Sequence, residues 1–391
     1  MIKKMSYLDK LLDGVEVEWK TIGKLCKIET GKLNANQEKE DGQYLFFTCD
    51  ELPKKIDVYT HDKEAILISG NGSRLGHVTH YVGKFNAYQR TYILNDFSNE
   101  IDVRYLFFVL LNGFREHANQ NKKPGSVPYI VLENVSGFQI PIPPLAVQKE
   151  IVRILDSFTE LTAELTAELT ARKKQYNYYR ETLLSFEEGD GSAGSPQRVE
   201  WKTLGEVIMK SYSGTTPQAG NPKFYENGTI PWLRTQEVKF SDIYGTEMFI
   251  TEYALKNTAT KWIPINCVII AISGATAGRS AINKIPMTTN QHCLCLEINP
   301  EKTLYRYVFH WVSFSYEKIK NLGQGARGDL NSSMIKNLKI PVPSLSEQER
   351  IVSILDKFDI LTTSISEGLP KEIELRKKQY EYYRDKLLTF N

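Results

Sequence analysis

The chain has 391 residues, 41% of them hydrophobic and 25% charged, with a net charge of +2. That is the make-up of a globular protein of two or three domains, and near-neutrality excludes a generally basic surface, so any nucleic-acid contact must come from local patches. No apolar stretch reaches the ~20 residues of a membrane span, and Lys3 and Lys4 precede no signal-sequence core. The five cysteines, Cys26, Cys49, Cys267, Cys293 and Cys295, read as free thiols in a reducing cytoplasm.

In chain order, residues 1–16 are a short N-terminal segment, 17–143 a globular part and 144–186 a long helix. Residues 187–198 read as a flexible linker (EEGDGSAGSPQR), followed by a second globular part at 199–343 and a second long helix at 344–391. The chain is written twice. Val17-Glu-Trp-Lys-Thr-Ile-Gly23 returns as Val199-Glu-Trp-Lys-Thr-Leu-Gly205, and Ile140-Pro-Ile-Pro143 as Ile340-Pro-Val-Pro343. QKEIVRILDSF (148–158) becomes QERIVSILDKF (348–358), and RKKQYNYYRETLLSF (172–186) becomes RKKQYEYYRDKLLTF (376–390). The N-terminal Tyr7–Leu12 repeats the helix-end signature of Tyr179–Leu184 and Tyr383–Leu388. Each globular part is thus preceded and followed by the same signature, which predicts a pseudo-twofold arrangement with the two long helices antiparallel.

Within the globular parts a scaffold recurs at an offset of 202: Ala65–Gly72 opposite Cys267–Gly274, Gly76 opposite Gly278, Gln89 opposite Gln291, and Arg104-Tyr105 opposite Arg306-Tyr307. Each reads as a buried strand, a Gly-rich turn, a second strand and a helix (Val103–Leu111; Leu304–Val312). The fold class is therefore α+β.

The long helix carries apolar residues at alternating spacings of four and three, with Thr162 and Arg172 as polar exceptions in the same register: Ile151, Leu155, Phe158, Leu165, Leu169, Tyr176, Tyr179 and Leu183. A period of 3.5 is the seam of a helix lying along another helix, which predicts an antiparallel coiled coil between the two copies. In its middle the unit TAEL occurs twice in tandem, Thr162-Ala163-Glu164-Leu165 and Thr166-Ala167-Glu168-Leu169. One unit adds about 6 Å and turns the helix by about 40°, so it changes length while nearly keeping the seam in phase. The second copy is four residues longer, and Gly368 and Pro370 are expected to break or kink it.

Catalytic signals are missing. SGNGSRLG (69–76) lacks the Gly-Lys-Ser/Thr ending of a phosphate-cradling loop, the six histidines show no metal-ligand spacing, and no paired-carboxylate cluster stands out. The polar loops instead point to recognition. In the first part they are GKLNANQ (31–37), NGSRLG (71–76), NAYQR (86–90) and QNKKPGSVPY (120–129); in the second, SGTTPQAGNPK (213–223), LRTQE (233–237), ATAGR (275–279), TNQH (289–292) and GQGARGDLNSS (323–333). Candidate DNA-contacting residues are Lys32, Asn34, Arg74, Gln89, Lys122 and Lys123, then Thr215, Arg234, Gln236, Arg279, Gln291 and Arg327. Arg and Gln can make paired hydrogen bonds to guanine or adenine, and Lys neutralises phosphate.

With these motifs (VEWK-T-[IL]-G, IP[IV]P, the duplicated ILD-x-F helix, RKKQY-x-YYR and the TAEL tract) the whole chain resembles the specificity subunit of a type I restriction–modification enzyme, in the branch with TAEL repeats. The resemblance implies two target-recognition domains, each reading one half of a split DNA sequence, and helices that set the gap between the halves. It implies two modification subunits as partners, which methylate adenine with S-adenosylmethionine, and two restriction subunits, which use ATP and Mg. This bacterial, cytoplasmic chain would itself bind double-stranded DNA but no cofactor, metal or membrane, and would catalyse nothing. Arg172, Lys173, Tyr176, Tyr179, Arg376, Lys377, Tyr380 and Tyr383, in the repeated RKKQY-x-YYR, are the candidate subunit interface. The contrasting reading is a coiled-coil scaffold whose globular parts bind protein.

Overall fold

The computed structural model describes residues 7–186, 199–323, 328–364 and 366–390; the expected linker and Arg327 lie outside the described residues. The chain divides into two units. The first holds residues 1–167 and 372–391, the second residues 168–371. Each unit therefore contains one globular part, a stretch of the helix that follows it, and a stretch of the other long helix. The cuts fall before Glu168 and Glu372, equivalent positions in the two copies.

In the first unit a six-stranded sheet runs in the order 27–30, 91–95, 61–69, 78–87, 44–47, 54–56. Alternation divides its side chains between two faces. Ile66, Ile68 and Leu94 join the core under the helix Val103–Asn121, while Ala65, Leu67 and Ile93 pack with Phe47, Phe85 and Ala87 on the other side. That helix starts because the Asp102 carboxylate caps it, accepting from the Tyr105 amide at 3.0 Å. In the second unit a five-stranded sheet runs 208–212, 293–298, 268–271, 280–283, 242–243, beside a three-stranded one of 248–250, 230–233 and 288–289. Val268, Ile270 and Leu296 face the helix Tyr305–Phe314; Cys267, Ile269, Cys293 and Cys295 fill the opposite core. Burial pushes the Cys267 and Cys293 thiols up to about 12, so they serve as small apolar fillers.

The repeated motifs build one junction twice. Glu18–Thr21 pairs antiparallel with Gln139–Ile142, and Glu200–Thr203 with Lys339–Val342. The buried hydroxyls of Tyr105 and Tyr307 donate to the carbonyls of Pro141 (2.9 Å) and Pro341 (2.8 Å). Gln148 and Gln348, fully buried in the first turn of each long helix, tie that turn to the globular part. The Gln148 amide donates to the Glu100 and Pro143 carbonyls and accepts from the Asp102 N–H; Gln348 donates to Pro343 and accepts from the Thr303 hydroxyl and the Leu304 N–H. Two turns on, Arg104 forks onto Asp156 and Arg306 onto Asp356.

Leu145–Leu184 is one 40-residue helix. Ala, Leu and Glu are strong helix formers, and the less favourable threonines of the TAEL tract return their hydroxyls to the helix, Thr162 to the Phe158 carbonyl and Thr166 to that of Thr162, both at 2.7 Å. The second copy does break where expected: the helix ends at Thr363 and restarts at Gly368, giving pieces of 19 and 21 residues, together the same 40. Pro370 falls in the first turn of the new piece, where its missing N–H has no helical partner to lose.

Within each unit two helix stretches pack antiparallel. In the first, Phe158 stacks on Tyr383 (5.3 Å between rings), and Ile151 and Leu155 share the core with Leu387 and Leu388. Leu8 of the short helix Tyr7–Leu12 lies in that core too. In the second, Phe358 stacks on Tyr176 (6.0 Å) and Tyr179 (5.3 Å), and Ile351 and Leu355 share the core with Leu184. At the far end Leu184 is the buried residue and Leu183 only flanks it, because an α-helix drifts by ~20° per heptad from a period of 3.5. No helix among the described residues is long and apolar enough to cross a membrane.

Replacing Gln148 or Gln348 by Ala strands three buried polar partners each. The expected cost is about 3 kcal/mol for the unit concerned, seen as an earlier urea midpoint at unchanged slope. A loss below about 1 kcal/mol would show that the junction is not held this way.

Candidate nucleic-acid interface

In the first unit the four polar loops picked out from the sequence meet at one end of the sheet. Backbone bonds do the joining. The Gly70 N–H donates to the Arg90 carbonyl (2.8 Å), Ile130 to Gly70 (2.9 Å), Gly72 to Pro128 (3.2 Å) and Gln89 to Leu33 (2.9 Å). Lys32, Lys122 and Lys123 are exposed and make no ion pair among the described residues, so their charges are available to phosphate. Asn34 and Gln89 are bonded to each other, Gln89 Nε2 donating to Asn34 Oδ1 at 3.1 Å. Arg74 is engaged differently: its guanidinium pairs with Glu51 on the neighbouring loop.

Sequence reasoning passed over two residues here. The Arg90 guanidinium lies 5.7 Å from the ring centre of Tyr129, which links the 86–90 and 120–130 loops through a cation–π contact. Both stand inside loops that were singled out, next to residues that were chosen; only the pairing was invisible.

The second unit repeats the frame with other side chains. The Ile272 N–H donates to His292 (2.9 Å) and Leu330 to Ile272 (2.8 Å), the equivalents of the Gly70–Arg90 and Ile130–Gly70 bonds. The Trp232 indole N–H donates to the Thr215 carbonyl (3.1 Å), so Thr215 is fixed through its backbone. The Thr216 hydroxyl donates to Gln291 Oε1 at 2.7 Å, and Ser213 to the Gln291 carbonyl at 3.1 Å. Arg234 and Gln236 both donate to the Glu247 carboxylate, at 2.8 and 3.4 Å, and Arg234 also lies 3.6 Å from Glu237. Arg279 follows the Gly274–Thr276 turn, partly exposed, with no ion pair among the described residues. Arg327 is outside the described residues. The loops that carry Thr215, Arg234, Gln236 and Gln291 are joined by the Asn290 N–H to the Leu233 carbonyl (3.1 Å). The loop of Arg279 meets the 328–333 segment through Ser273 and Asp329 (2.6 Å). Glu237 and Glu247 were missed because a carboxylate beside a DNA-reading arginine looks unhelpful until the ion pair is seen.

On the long helices, Tyr176, Tyr179, Tyr380 and Tyr383 lie in or against the intramolecular helix packing. Burial pushes the Tyr176 and Tyr380 hydroxyls above their ordinary range. Arg172 pairs with Glu168 and Arg376 with Glu372, each at 3.3 Å, while Lys173 and Lys377 are exposed. The most exposed tyrosines of the repeated motif are Tyr178 (64% exposed) and Tyr382 (59%), each with its ring edge-on to its neighbour, Tyr179 or Tyr383. In the spacer tract Leu165 is buried and Leu169 half-buried; Thr162 is half-buried, and Ala163, Glu164, Thr166, Ala167 and Glu168 face outward.

Comparison with known proteins gives the family. The family described as "Type I restriction modification DNA specificity domain" matches twice, over residues 14–172 and 196–375. The specificity subunit of the type I restriction enzyme EcoR124I/EcoR124II of Escherichia coli is 39% identical over 411 aligned positions, covering 100% of this chain and 98% of the relative. A putative type I specificity subunit of Haemophilus influenzae is 34% identical, covering all of both chains. The crystal structure of an S subunit from M. genitalium superposes with a TM-score of 0.65 at 19% identity, over 97% of this chain and 98% of that one. The HsdS subunit from Thermoanaerobacter tengcongensis gives 0.50 at 14% identity, over 96% and 97%. The chain belongs to the DNA-specificity subunits of type I restriction–modification systems.

Proposed function

We propose that each unit of this specificity subunit reads one half of a bipartite DNA sequence, and that the two long helices set the number of unread base pairs between the halves. The observation that carries the reading is the repetition of one loop frame, held by equivalent backbone bonds, under two different sets of polar side chains. Lys32, Lys122 and Lys123 neutralise phosphates, and Arg74, Arg234, Gln236 and Arg279 supply groups suited to base edges. Arg74 and Arg234 exchange a carboxylate for the DNA when they bind. A base edge with two acceptors in the right place replaces the lost ion pair better than a single phosphate oxygen does.

The chain works without chemistry of its own. Two modification subunits bring S-adenosylmethionine and methylate adenine; two restriction subunits bring ATP and Mg for translocation and cleavage. The modification subunits dock along the helices, where Tyr178, Tyr382, Lys173 and Lys377 are exposed, near the candidate residues Arg172, Tyr176, Tyr179, Arg376, Tyr380 and Tyr383. The complex acts in the bacterial cytoplasm, where its DNA is.

The direct test is a genome-wide map of methylated adenines in cells carrying the chain with its modification subunits. One split sequence is expected; methylation without a defined split sequence defeats the reading. Inserting one TAEL unit after Leu169 should leave both half-sites unchanged and lengthen the gap by about one base pair, since the insertion adds about 6 Å of helix and about 40° of rotation. An unaltered gap, or altered half-sites, contradicts the ruler. Lys122→Ala and Lys123→Ala should weaken DNA binding of the assembled complex equally for all sequences. Each should also flatten the dependence of log K on log salt by roughly 1; a change in the bases read would instead make them base contacts.

A further inference from the structure

We infer that Gln89 and Gln291 are positioning residues: each fixes the first polar loop of its own unit, and the loop, not the glutamine, faces the bases. The inference rests on the DNA-reading role proposed above and assigns these two side chains a part in it that differs from direct readout.

Three observations converge. First, the two glutamines occupy equivalent places, 202 residues apart, while the loops they touch, KLNANQ and TTPQAG, share no pattern. A side chain that reads a base should change when the loops change; one that holds a loop can stay. Second, both are already engaged. Gln89 Nε2 donates to Asn34 Oδ1 at 3.1 Å, and its backbone N–H holds the Leu33 carbonyl at 2.9 Å. Gln291 Oε1 accepts from the Thr216 hydroxyl at 2.7 Å, its Nε2 lies 3.2 Å from His292 Nε2, and its carbonyl accepts from Ser213 at 3.1 Å. A glutamine that reads adenine must present its oxygen and its nitrogen together in one fork. Gln291 has a neighbour at each end of its amide and Gln89 a partner at its nitrogen, so turning either fork to a base breaks a contact that holds the loop.

Third, each of these loops leaves its strand at a glycine pressed against the strand that leads to the glutamine. A Cβ on Gly31 would lie 2.1 Å from the Ala87 carbonyl oxygen, and one on Gly214 would lie 1.7 Å from that of Thr289. Ala87 and Thr289 each stand two residues before the glutamine. The loop is thus confined at its root by a backbone contact that only glycine permits and caught a few residues later by the glutamine. Two points of attachment make a short polar loop rigid enough to present side chains to a groove. The chemistry of the latch is reversed between the units: Gln89 donates to its loop, whereas Gln291 accepts from it. This reversal supplies the test.

The experiment uses the complete chain assembled with its modification subunits and reads methylated adenines, with the first half-site as an internal report of folding and assembly. If the unaltered complex writes no defined split sequence, the proposed function fails before any variant is considered. Given that sequence, Gln291→Glu keeps the acceptor for Thr216 and loses the donor arm, so the second half-site should remain the same. Thr216→Val removes the latch without touching the glutamine, and should relax the second half-site while the first stays sharp, with off-site methylation rising roughly tenfold. Adding Gln291→Leu to Thr216→Val should cause little further loss, because the latch to the loop is already broken. The inference is overturned if Gln291→Glu changes the base preferred at one position, by the roughly 5- to 150-fold expected of a lost paired base contact. It is equally overturned if Thr216→Val leaves the second half-site untouched.

Discussion

A long helix conveys position from one body to another only if it cannot turn against the body it leaves. That constraint is met twice here by the same few groups. From the first turn of each helix, the buried Gln148 and Gln348 bond main-chain groups of the globular part and of the segment leading into the helix. Arg104 and Arg306 then fork onto Asp156 and Asp356, two turns further along, so each helix is held at two heights on one face. A pair of attachments about 12 Å apart along the axis resists rotation and tilt far better than one. The paired loops, the helix stacking and the division into units all presuppose this junction.

The loop frame obeys a related economy. In both units the loops are joined by N–H and carbonyl groups, which any residue supplies. Side chains can therefore be exchanged without dismantling the frame, and the two sets have diverged almost completely. The junction between globular part and helix has drifted at one side chain as well. Phe108 in the first unit corresponds to His310 in the second, whose Nε2 lies 2.6 Å from Asp356 in a buried site. Burial pushes the Asp356 carboxyl up, but hydrogen bonds from His310 and Arg306 outweigh it and leave the group below its ordinary range. Among the described residues the first unit holds Asp156 with Arg104 alone; it stacks that arginine on Phe107 and Phe108, as the second stacks Arg306 on Phe309. One position in the junction thus holds an apolar ring against the arginine in the first copy, and in the second a ring bonded to the arginine's carboxylate partner.

The architecture was legible because duplication turned one sequence into its own alignment. Residues fixed by burial or by an obligatory bond, such as Gln148, Tyr105, Arg104 and Gly76, recurred at constant offsets and marked strands, junction and helix. The polar loops were legible as loops, and most of the chosen residues do lie in two connected sets. Their side-chain states were not legible. Nothing in the pattern distinguishes Lys32, with no ion pair among the described residues, from Arg74, held by Glu51, since that depends on which loops touch across 23 residues of chain. The tyrosines fared similarly: a period of 3.5 puts Tyr176 and Tyr179 on the seam, but only packing shows that Tyr178 lies edge-on to Tyr179 with most of its surface exposed.

The four-residue excess of the second copy acquires a physical meaning from the helix lengths. The central helix has 40 helical residues and the second copy has 19 and 21, separated by the interruption before Gly368. The extra residues have thus been left out of the helical count, so the repeated motifs at either end of each copy are joined by equal lengths of helix. Continuous winding would have displaced RKKQY-x-YYR by about 6 Å and about 40° relative to ILD-x-F. Phe158 meets Tyr383 in one unit and Phe358 meets Tyr179 in the other, the same stacking between equivalent residues. Both meetings require each helix stretch to reach its partner in the same register. The break at Thr363 permits that with a chain four residues longer, and Gly368, at φ +81°, supplies the backbone conformation that lets the helix restart. A TAEL unit changes length inside the uninterrupted copy, where every added residue becomes helix; the interrupted copy is where extra length is absorbed instead.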